Sequence, residues 1–401
     1  MRRVVILFLS LICLTAQAYK DRDLLQKTAD INTLRTVLIP DQKWVTYPAY
    51  TDSAGWDNLL QSNKPYVIEQ GEKYLNHEWK VVKATDYLEY TRTGNRTIME
   101  TIHNNNLNAI SALFMAEMAE GKGRFMDQLI NGVFNTCEMT SWSIAAHLAL
   151  QRVKGSFPDY KDNVIELVSE DIGSTFSWIY YFLNKEFDKV NPLISERLYH
   201  EIERRILTPY LEETRFWWMA TEVSEKGGFV NNWNPWCNSN VLQSFLLVEK
   251  DPQRLLQGVY KTMVSVDKFI NYNHDDGACE ESPSYYLQVL YDATGGKISI
   301  FSDPMIKNMG EYIYRSYVGD GWVVNFADAS AKGDFNYRLI YRFGKMVNSL
   351  EMEQFASYLK NEYPKNITIA RDTYRLLADL SCDQDISNIN PKHKAAAFTW
   401  Y

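Results

Sequence analysis

Apolar residues recur at spacings of three and four along most of this 401-residue chain, and this periodicity restricts its fold more than any other feature. The spacing places apolar side chains on one face of an α-helix, so it predicts amphipathic helices that pack against one another. Strand-like alternation is best developed in GWVVNF, at 321–326. The predicted helices cover 107–120, 125–137, 143–153, 164–187, 195–211, 241–250, 253–270, 285–293 and 353–359.

Loops join these helices in sequence, which predicts successive helical hairpins. The expected fold class is therefore all-α, as an (α/α) toroid or solenoid of helix pairs spanning 19–385. Ser195 is predicted to cap the start of a helix, and Gly121 is predicted to follow the end of one.

Residues 1–18 have the pattern of a secretory signal peptide. Arg2 and Arg3 precede an apolar run, and Ala16 and Ala18 supply the small residues of a cleavage site. We therefore expect cleavage after Ala18 and a periplasmic or secreted protein. No later segment is long and apolar enough to predict a membrane span.

The formal net charge is −8, and loss of the two N-terminal arginines would make it more negative. An acidic protein is a poor general binder of nucleic acid or of an anionic membrane. Tyrosine and tryptophan are abundant, with 26 and 11 residues, and their rings can pack on the apolar faces of sugars. The composition therefore favours a glycan partner over a nucleic acid, and it leaves the oligomeric state open.

Four cysteines follow the predicted signal peptide: Cys137, Cys237, Cys279 and Cys382. Their spacing matches no zinc motif. In a chain of this size, scattered cysteines are more often buried thiols than a disulfide framework. The sequence predicts no metal or other cofactor in this chain.

Polar motifs interrupt the helical pattern at YTRTGNR (90–96), EMTSWSIAAH (138–147), FVNNWNPWCNSN (229–240) and DDGACEESPSYY (275–286). Asparagine is a poor filler of helix and strand interiors, so these motifs are predicted to be loops between helices. Loops at one end of helical hairpins are where such a fold places its functional residues.

Four segments resemble the heparinase II/III-like polysaccharide lyases and their alginate- and oligosaccharide-lyase relatives. These segments are YTRTGNR, AEMAEGKGRFMDQLINGVFNTCEMTSWSIAAH, NNWNPWCNSN and DGACEESPSYY. The resemblance covers most of the chain from about residue 90 to 329. It implies an (α/α) toroid followed by an antiparallel β-sandwich, and β-elimination on an acidic, uronic-acid-containing glycan.

The chain departs from that family pattern at its end. We expect this chain to lack the β-sandwich, which in the family supplies a catalytic histidine and often a divalent metal site. Residues 386–401 are expected to form a connector and, in the closing FTWY, the first strand of that domain.

Elimination from a uronate requires removal of the weakly acidic C5 proton while charge moves into the C6 carboxylate. Amide N–H groups can stabilise that charge without titrating, and a tyrosine or histidine can move protons. The resemblance assigns the amide role to Asn231 or Asn232 and the acid or acid/base role to Tyr285. The identity of the general base stays open, because Tyr285 or the missing domain could supply it.

Further side chains in the polar motifs are candidates for substrate contact. Each also has an ordinary structural interpretation as a cap, an ion-pair partner or a packed ring. They are Arg92, Arg96, Trp142, His147, Trp233, Asn234, Trp236, Asn238 and Glu281.

Two other functions remain open at this point. A glycoside hydrolase on a helical toroid would need two nearby carboxylates, and a non-catalytic glycan-binding protein would need only the aromatic residues. The sequence does not identify the polymer, nor does it decide between endo and exo action. The carboxylates available to a hydrolase are Asp275, Asp276, Glu280, Glu281 and Asp328.

Overall fold

The computed structural model describes residues 20–224, 226–278, 283–325, 329–364, 367–369 and 372–393. The predicted signal peptide, the FTWY end, Cys279 and the candidate Glu281 lie outside these residues. Within them the protein is mostly helical, which confirms the all-α prediction.

The helices follow one another along the chain. They are α1 (Leu24–Thr28), α2 (Ile31–Val37), α3 (Ser53–Leu60), α4 (Lys64–Glu72), α5 (Ala84–Thr93), α6 (Thr97–Glu120), α7 (Met126–Cys137), α8 (Leu167–Val190), α9 (Pro192–Ile202), α10 (Thr208–Glu212), α11 (Trp233–Val248), α12 (Pro252–Tyr272), α13 (Ser284–Ala293), α14 (Pro304–Arg315), α15 (Tyr337–Met346), α16 (Leu350–Glu362) and α17 (Thr373–Ser387). The longest connections precede α8, α11 and α15. Short 3₁₀ turns occupy Gln61–Asn63, Ala145–Leu150 and Trp217–Met219, and a π turn at Glu203–Leu207 joins α9 to α10.

Helices adjacent in sequence pack in pairs, including α6 with α7, α8 with α9, α11 with α12, and α15 with α16. Helix α11 also contacts α8 and α13, and each of its residues from 237 to 248 is buried. This helix therefore forms the inner support for the elements around it.

The first helices return to a later part of the chain. Asp267 on α12 accepts hydrogen bonds from the backbone N–H groups of Leu25 and Gln26, each at 2.9 Å. Helix α17 contacts both α3 and α8. One continuous cluster of buried apolar residues runs from Leu25 to Ile386, so helices from both ends of the described chain share a core.

Several predicted helix ends are confirmed, and their caps explain them. Helix α6 ends at Glu120, and Gly121 follows with a φ of 65°, a conformation that suits glycine. The prediction that Ser195 caps a helix is wrong, because α9 begins at Pro192, where the Asn191 side chain accepts a hydrogen bond from the backbone N–H of Leu193 and caps the helix.

The predicted helix at 143–153 is wrong, because the structure has only the 3₁₀ turn Ala145–Leu150 there. Bonds to other segments hold both ends of this stretch. Ser143 Oγ donates to the carbonyl oxygen of Val164 at 2.9 Å, and Gln151 Nε2 donates to that of Phe157 at 2.8 Å. These tertiary contacts outweigh the helical periodicity.

The strand-like GWVVNF contributes β2 (Trp322–Val323), which pairs antiparallel with β1 (Tyr317–Gly319) in a two-stranded sheet. This is the only sheet within the described residues.

The cysteines in those residues are buried free thiols, as expected. They are Cys137, Cys237 and Cys382. No helix in this part of the chain is both long enough and apolar enough to cross a membrane.

Candidate functional site

A cleft of about 370 Å³ lies where three helices begin. Residues from the first turns of α6, α8 and α11 line it, together with residues of the 3₁₀ turn Ala145–Leu150 and its cap. Helix N-termini carry partial positive charge, which favours an anionic ligand, although Glu100 and Asp171 in the same lining are acidic. The lining residues are Arg96, Glu100, Asn104, Ile144, His147, Leu167, Val168, Asp171, Asn232 and Trp236.

His147 is held in this cleft by a buried carboxylate. Its Nδ1 donates a hydrogen bond to Glu166 Oε2, and Glu166 is fully buried while the His147 side chain keeps 14% of its surface exposed. Glu166 also accepts from the backbone N–H groups of Val168 and Ser169 at 3.1 Å and so caps α8. With Nδ1 engaged, the opposite nitrogen Nε2 is the one left for a ligand.

Of the two leading asparagines, only Asn232 lines the cleft. The Oδ1 atom of Asn231 accepts a hydrogen bond from the backbone N–H of Trp233 at 3.0 Å, which makes it a local turn residue at the start of α11. The structure therefore separates two amides that the sequence left as alternatives, and it places only Asn232 in the lining of this cleft.

The rest of the asparagine-rich motif is not the predicted loop. Residues from Trp233 onward form the first turns of α11, and Asn234 and Asn238 are fully buried. Asn234 Nδ2 donates to the carbonyl oxygen of Trp218 at 2.8 Å, and Asn238 Nδ2 donates to Ser265 Oγ at 2.9 Å. Asn238 Oδ1 accepts from the Tyr210 hydroxyl at 2.7 Å. Their predicted contact with substrate is wrong, because these amides serve the protein interior.

Trp142 is also a packed core residue rather than a sugar platform. Its ring is 2% exposed and packs edge-to-face against Phe176, with centroids 5.4 Å apart. Its indole N–H donates to the carbonyl oxygen of Thr136 at 3.0 Å, and the Arg205 guanidinium lies 5.0 Å from its ring centroid. The prediction that Trp142 contacts substrate is therefore wrong.

Trp236 and Trp233 are partly buried and belong to the cleft region. Trp236 lines the cleft, and its indole N–H donates to Asp171 Oδ1 at 2.9 Å. Trp233 lies against His147, with ring centroids 4.7 Å apart. Its ring therefore helps to fix the orientation of the imidazole.

Tyr285 is one contact removed from the cleft. Its ring is 6% exposed, and the Arg375 guanidinium lies 4.2 Å from the Tyr285 ring centroid and 3.5 Å from that of Trp236. Burial raises the pKa of the Tyr285 hydroxyl, with a further increase from Asp379 that Arg342 and Arg375 oppose. Tyr285 is thus kept protonated, and it does not line the cleft beside Asn232 as the sequence predicted.

The two arginines of the YTRTGNR motif differ in position. Arg96 lines the cleft and pairs with Glu100 across one helical turn at 2.6 Å. Arg92 is exposed near the end of α5 and is not among the residues lining this cleft. Only Arg96 is placed to meet a ligand bound there.

Sequence reasoning missed Glu166, Asp171 and Arg375. Glu166 lies three residues before Ser169, and their side chains cap each other's backbone N–H groups. A capping box normally has Ser or Thr first and Glu three residues later, so this reversed order is not a recognised helix-start signal in the sequence. The sequence carries no signal for Arg375, because α17 meets Trp236 and Tyr285 only through the tertiary fold.

No group of three or more histidine, cysteine, aspartate or glutamate side chains in the described ranges could hold a metal ion. The hydrolase candidates Asp275 and Asp276 lie outside the cleft. Asp275 pairs with Lys20 and Arg22, and Asp276 accepts from the backbone N–H of Ala278.

Known family models and curated proteins give no match to this chain.

Substitutions of the asparagines at the start of α11 should differ in their effect on the free energy of unfolding. Asn234→Ala and Asn238→Ala each leave buried partners unsatisfied, so each should lower the free energy of unfolding by about 1–3 kcal/mol. Asn232→Ala, at a partly exposed position in the cleft, should lower it less than either of these. Urea unfolding followed by circular dichroism measures all three. Equal losses would mean that Asn232 is a structural amide as well.

Proposed function

We propose that this protein is an exported polysaccharide lyase of the heparinase II/III-like kind, which cleaves an acidic, uronic-acid-containing glycan by β-elimination. The observation that carries the proposal is the pairing of His147 with buried Glu166 in the same cleft as Asn232. The cleft thus holds an oriented proton acceptor and a neutral amide donor, the two groups that this elimination requires.

His147 fits the role of general base that the sequence left open. Glu166 binds Nδ1 and thereby fixes the tautomer in which Nε2 carries the lone pair. In the proposed step, Nε2 takes the C5 proton of the uronate, the electron pair forms the C4–C5 double bond, and the bond from C4 to the leaving oxygen breaks. The leaving oxygen then takes up a proton.

Asn232 and the helix N-termini fit the role of stabilising the C6 carboxylate. As the C5 proton leaves, negative charge grows on that carboxylate, and N–H donors directed at it lower the energy of the transition state. Arg96 adds a positive charge at the rim, although Glu100 partly balances it. A neutral amide suits the inner position, because it donates at any pH at which the protein is folded.

Tyr285 fits a donor role and not that of a base. Its raised pKa keeps the hydroxyl protonated, so it could give a proton to the leaving oxygen but could not readily accept one. It would reach the substrate only if Arg375 or Trp236 shifts, because Arg375 contacts both rings. Its part in the reaction therefore depends on movement of one of these two side chains.

The architecture we propose is an (α/α) toroid. Helices adjacent in sequence pack in pairs, α1 and α2 contact α12, and α17 contacts α3. These contacts support a ring of hairpins. A divalent metal, where the family uses one, would belong to that family's β-sandwich domain.

The direct test is a screen of the purified protein against polymers of glucuronate, iduronate, mannuronate and guluronate. A lyase gives an unsaturated product that absorbs ultraviolet light, whereas a hydrolase gives only a reducing end. His147→Gln should lower turnover by about 10²–10⁴, the usual range for general acid–base catalysis. His77→Gln is a matched control, because His77 binds Asn106 at 3.1 Å outside the cleft.

Glu166→Gln extends this test to the orientation of the imidazole. The amide keeps an oxygen for the start of α8 but offers its NH₂ group to Nδ1, which favours the tautomer with the proton on Nε2. Turnover should therefore fall by roughly two to four orders of magnitude with KM little changed.

If the wild-type protein instead produces reducing ends without ultraviolet absorbance, the lyase is excluded and a hydrolase is supported.

Asn232→Asp tests the amide role through pH. The substitution is nearly isosteric, but at neutral pH it sets a carboxylate against the substrate carboxylate. Turnover relative to wild type should be lowest at neutral pH and should recover as pH falls through the pKa of the new acid, since protonation removes the repulsion. Rates measured across that pH range check the sign. A defect that is the same at every pH would mean that charge repulsion is not its cause.

Tyr285→Phe tests the proton donor. It keeps the ring that contacts Arg375 but removes the hydroxyl, so turnover should fall by about 10²–10⁴ with affinity little changed. Tyr286→Phe is the matched control, because the buried Tyr286 hydroxyl contacts Thr262 at 3.0 Å. Near-normal turnover in Tyr285→Phe would mean that another group protonates the leaving oxygen.

A further inference from the structure

A second cleft, of about 550 Å³, shares His147 with the first. Three basic residues line it, Arg152, Lys154 and Arg215, as do the rings of Trp217 and Trp233. None of the residues lining it is acidic. Basic groups beside aromatic rings, next to a candidate base, are the combination that an acidic sugar would need.

Two buried or partly buried carboxylates hold the arginines in place. Asp162 and Glu213 each pair with both Arg152 and Arg215, and the Asp162 side chain is only 5% exposed. These carboxylates balance the two guanidinium charges. Lys154 is exposed and donates to the carbonyl oxygen of Ala149 at 3.0 Å, so its charge is the one left to attract an anion.

A row of aromatic rings leads outward from His147. Ring centroids are 4.7 Å apart for His147 and Trp233, 5.1 Å for Trp233 and Trp217, and 6.1 Å for Trp217 and Phe229. Trp217 is 39% exposed and Phe229 is 59% exposed. Contiguous exposed aromatic surface of this kind usually marks an interaction site.

We propose that the second cleft binds a uronate unit adjacent in the glycan chain to the unit that reacts in the first cleft. This inference rests on the proposed function, and it adds a second binding site to it. The sugar ring would lie on Trp217 and Trp233, with its carboxylate toward Lys154 and the outer edge of Arg152. A protein using both clefts would prefer oligosaccharides to single sugars.

Binding can be tested separately from catalysis. We would titrate tetrasaccharides and hexasaccharides of mannuronate and of guluronate into the His147→Gln protein by calorimetry, with cello-oligosaccharides of equal length as neutral probes. Lys154→Gln should weaken binding of the acidic probes by about two- to fivefold, as for an exposed ion pair. Trp217→Ala should weaken it by about three- to tenfold.

Matched controls are Lys122→Gln and Trp322→Ala, which change an exposed lysine and an exposed tryptophan outside both clefts. Weaker binding in the cleft variants but not in the controls would support the second site even if no unsaturated product forms. If the wild type catalyses elimination but both cleft variants bind the acidic probes as tightly as their parent, the second site is overturned. The proposed lyase activity would not be affected by that result. Equally tight binding of cello-oligosaccharides, or no binding of any acidic probe, would also overturn it.

Discussion

The buried carboxylate of Glu166 is the contact on which the candidate site depends. A carboxylate removed from water is costly unless charged or polar partners satisfy it, and here the start of α8 and the imidazole of His147 do so together. The helix start and the orientation of the histidine are therefore fixed by the same group. One turn along α8, burial raises the pKa of Glu170 well above its usual value, with further increases from Glu166 and Asp171. Keeping Glu170 protonated avoids a second negative charge beside the pair.

The asparagines of α11 show how one residue type serves two purposes in consecutive turns. Asn234 and Asn238 satisfy buried groups of neighbouring elements without adding charge to the core. Asn232, just before the helix, lines the cleft. The buried asparagines set where α11 begins, so they also set where Asn232 lies. Substituting them would disturb the cleft without removing any group that faces a ligand.

The sequence predicted the long amphipathic helices well, because burial of an apolar face decides both their existence and their extent. It failed at the start of α11, where the low helix propensity of asparagine is outweighed by hydrogen bonds to Trp218 and Ser265, which only the fold brings near. It singled out Arg96, His147, Asn232 and Trp236, which line one cleft. It could not place Tyr285 behind Arg375, because that arrangement depends on α17 packing from the far end of the chain.

A net charge of −8 makes recognition of an acidic glycan a local problem. Over distances beyond about 8–10 Å, salt screens the repulsion between the protein and an anionic polymer, so attraction must come from groups in contact with it. The first cleft offers the N-termini of three helices and a neutral amide, and the second offers Lys154 beside aromatic rings. Helix dipoles and amides bind an anion without a full positive charge. A full positive charge would hold the product as tightly as the substrate. The second cleft would thus bind the glycan through charge and ring contacts. The first cleft would supply donors whose hydrogen bonds strengthen as negative charge develops on the reacting unit.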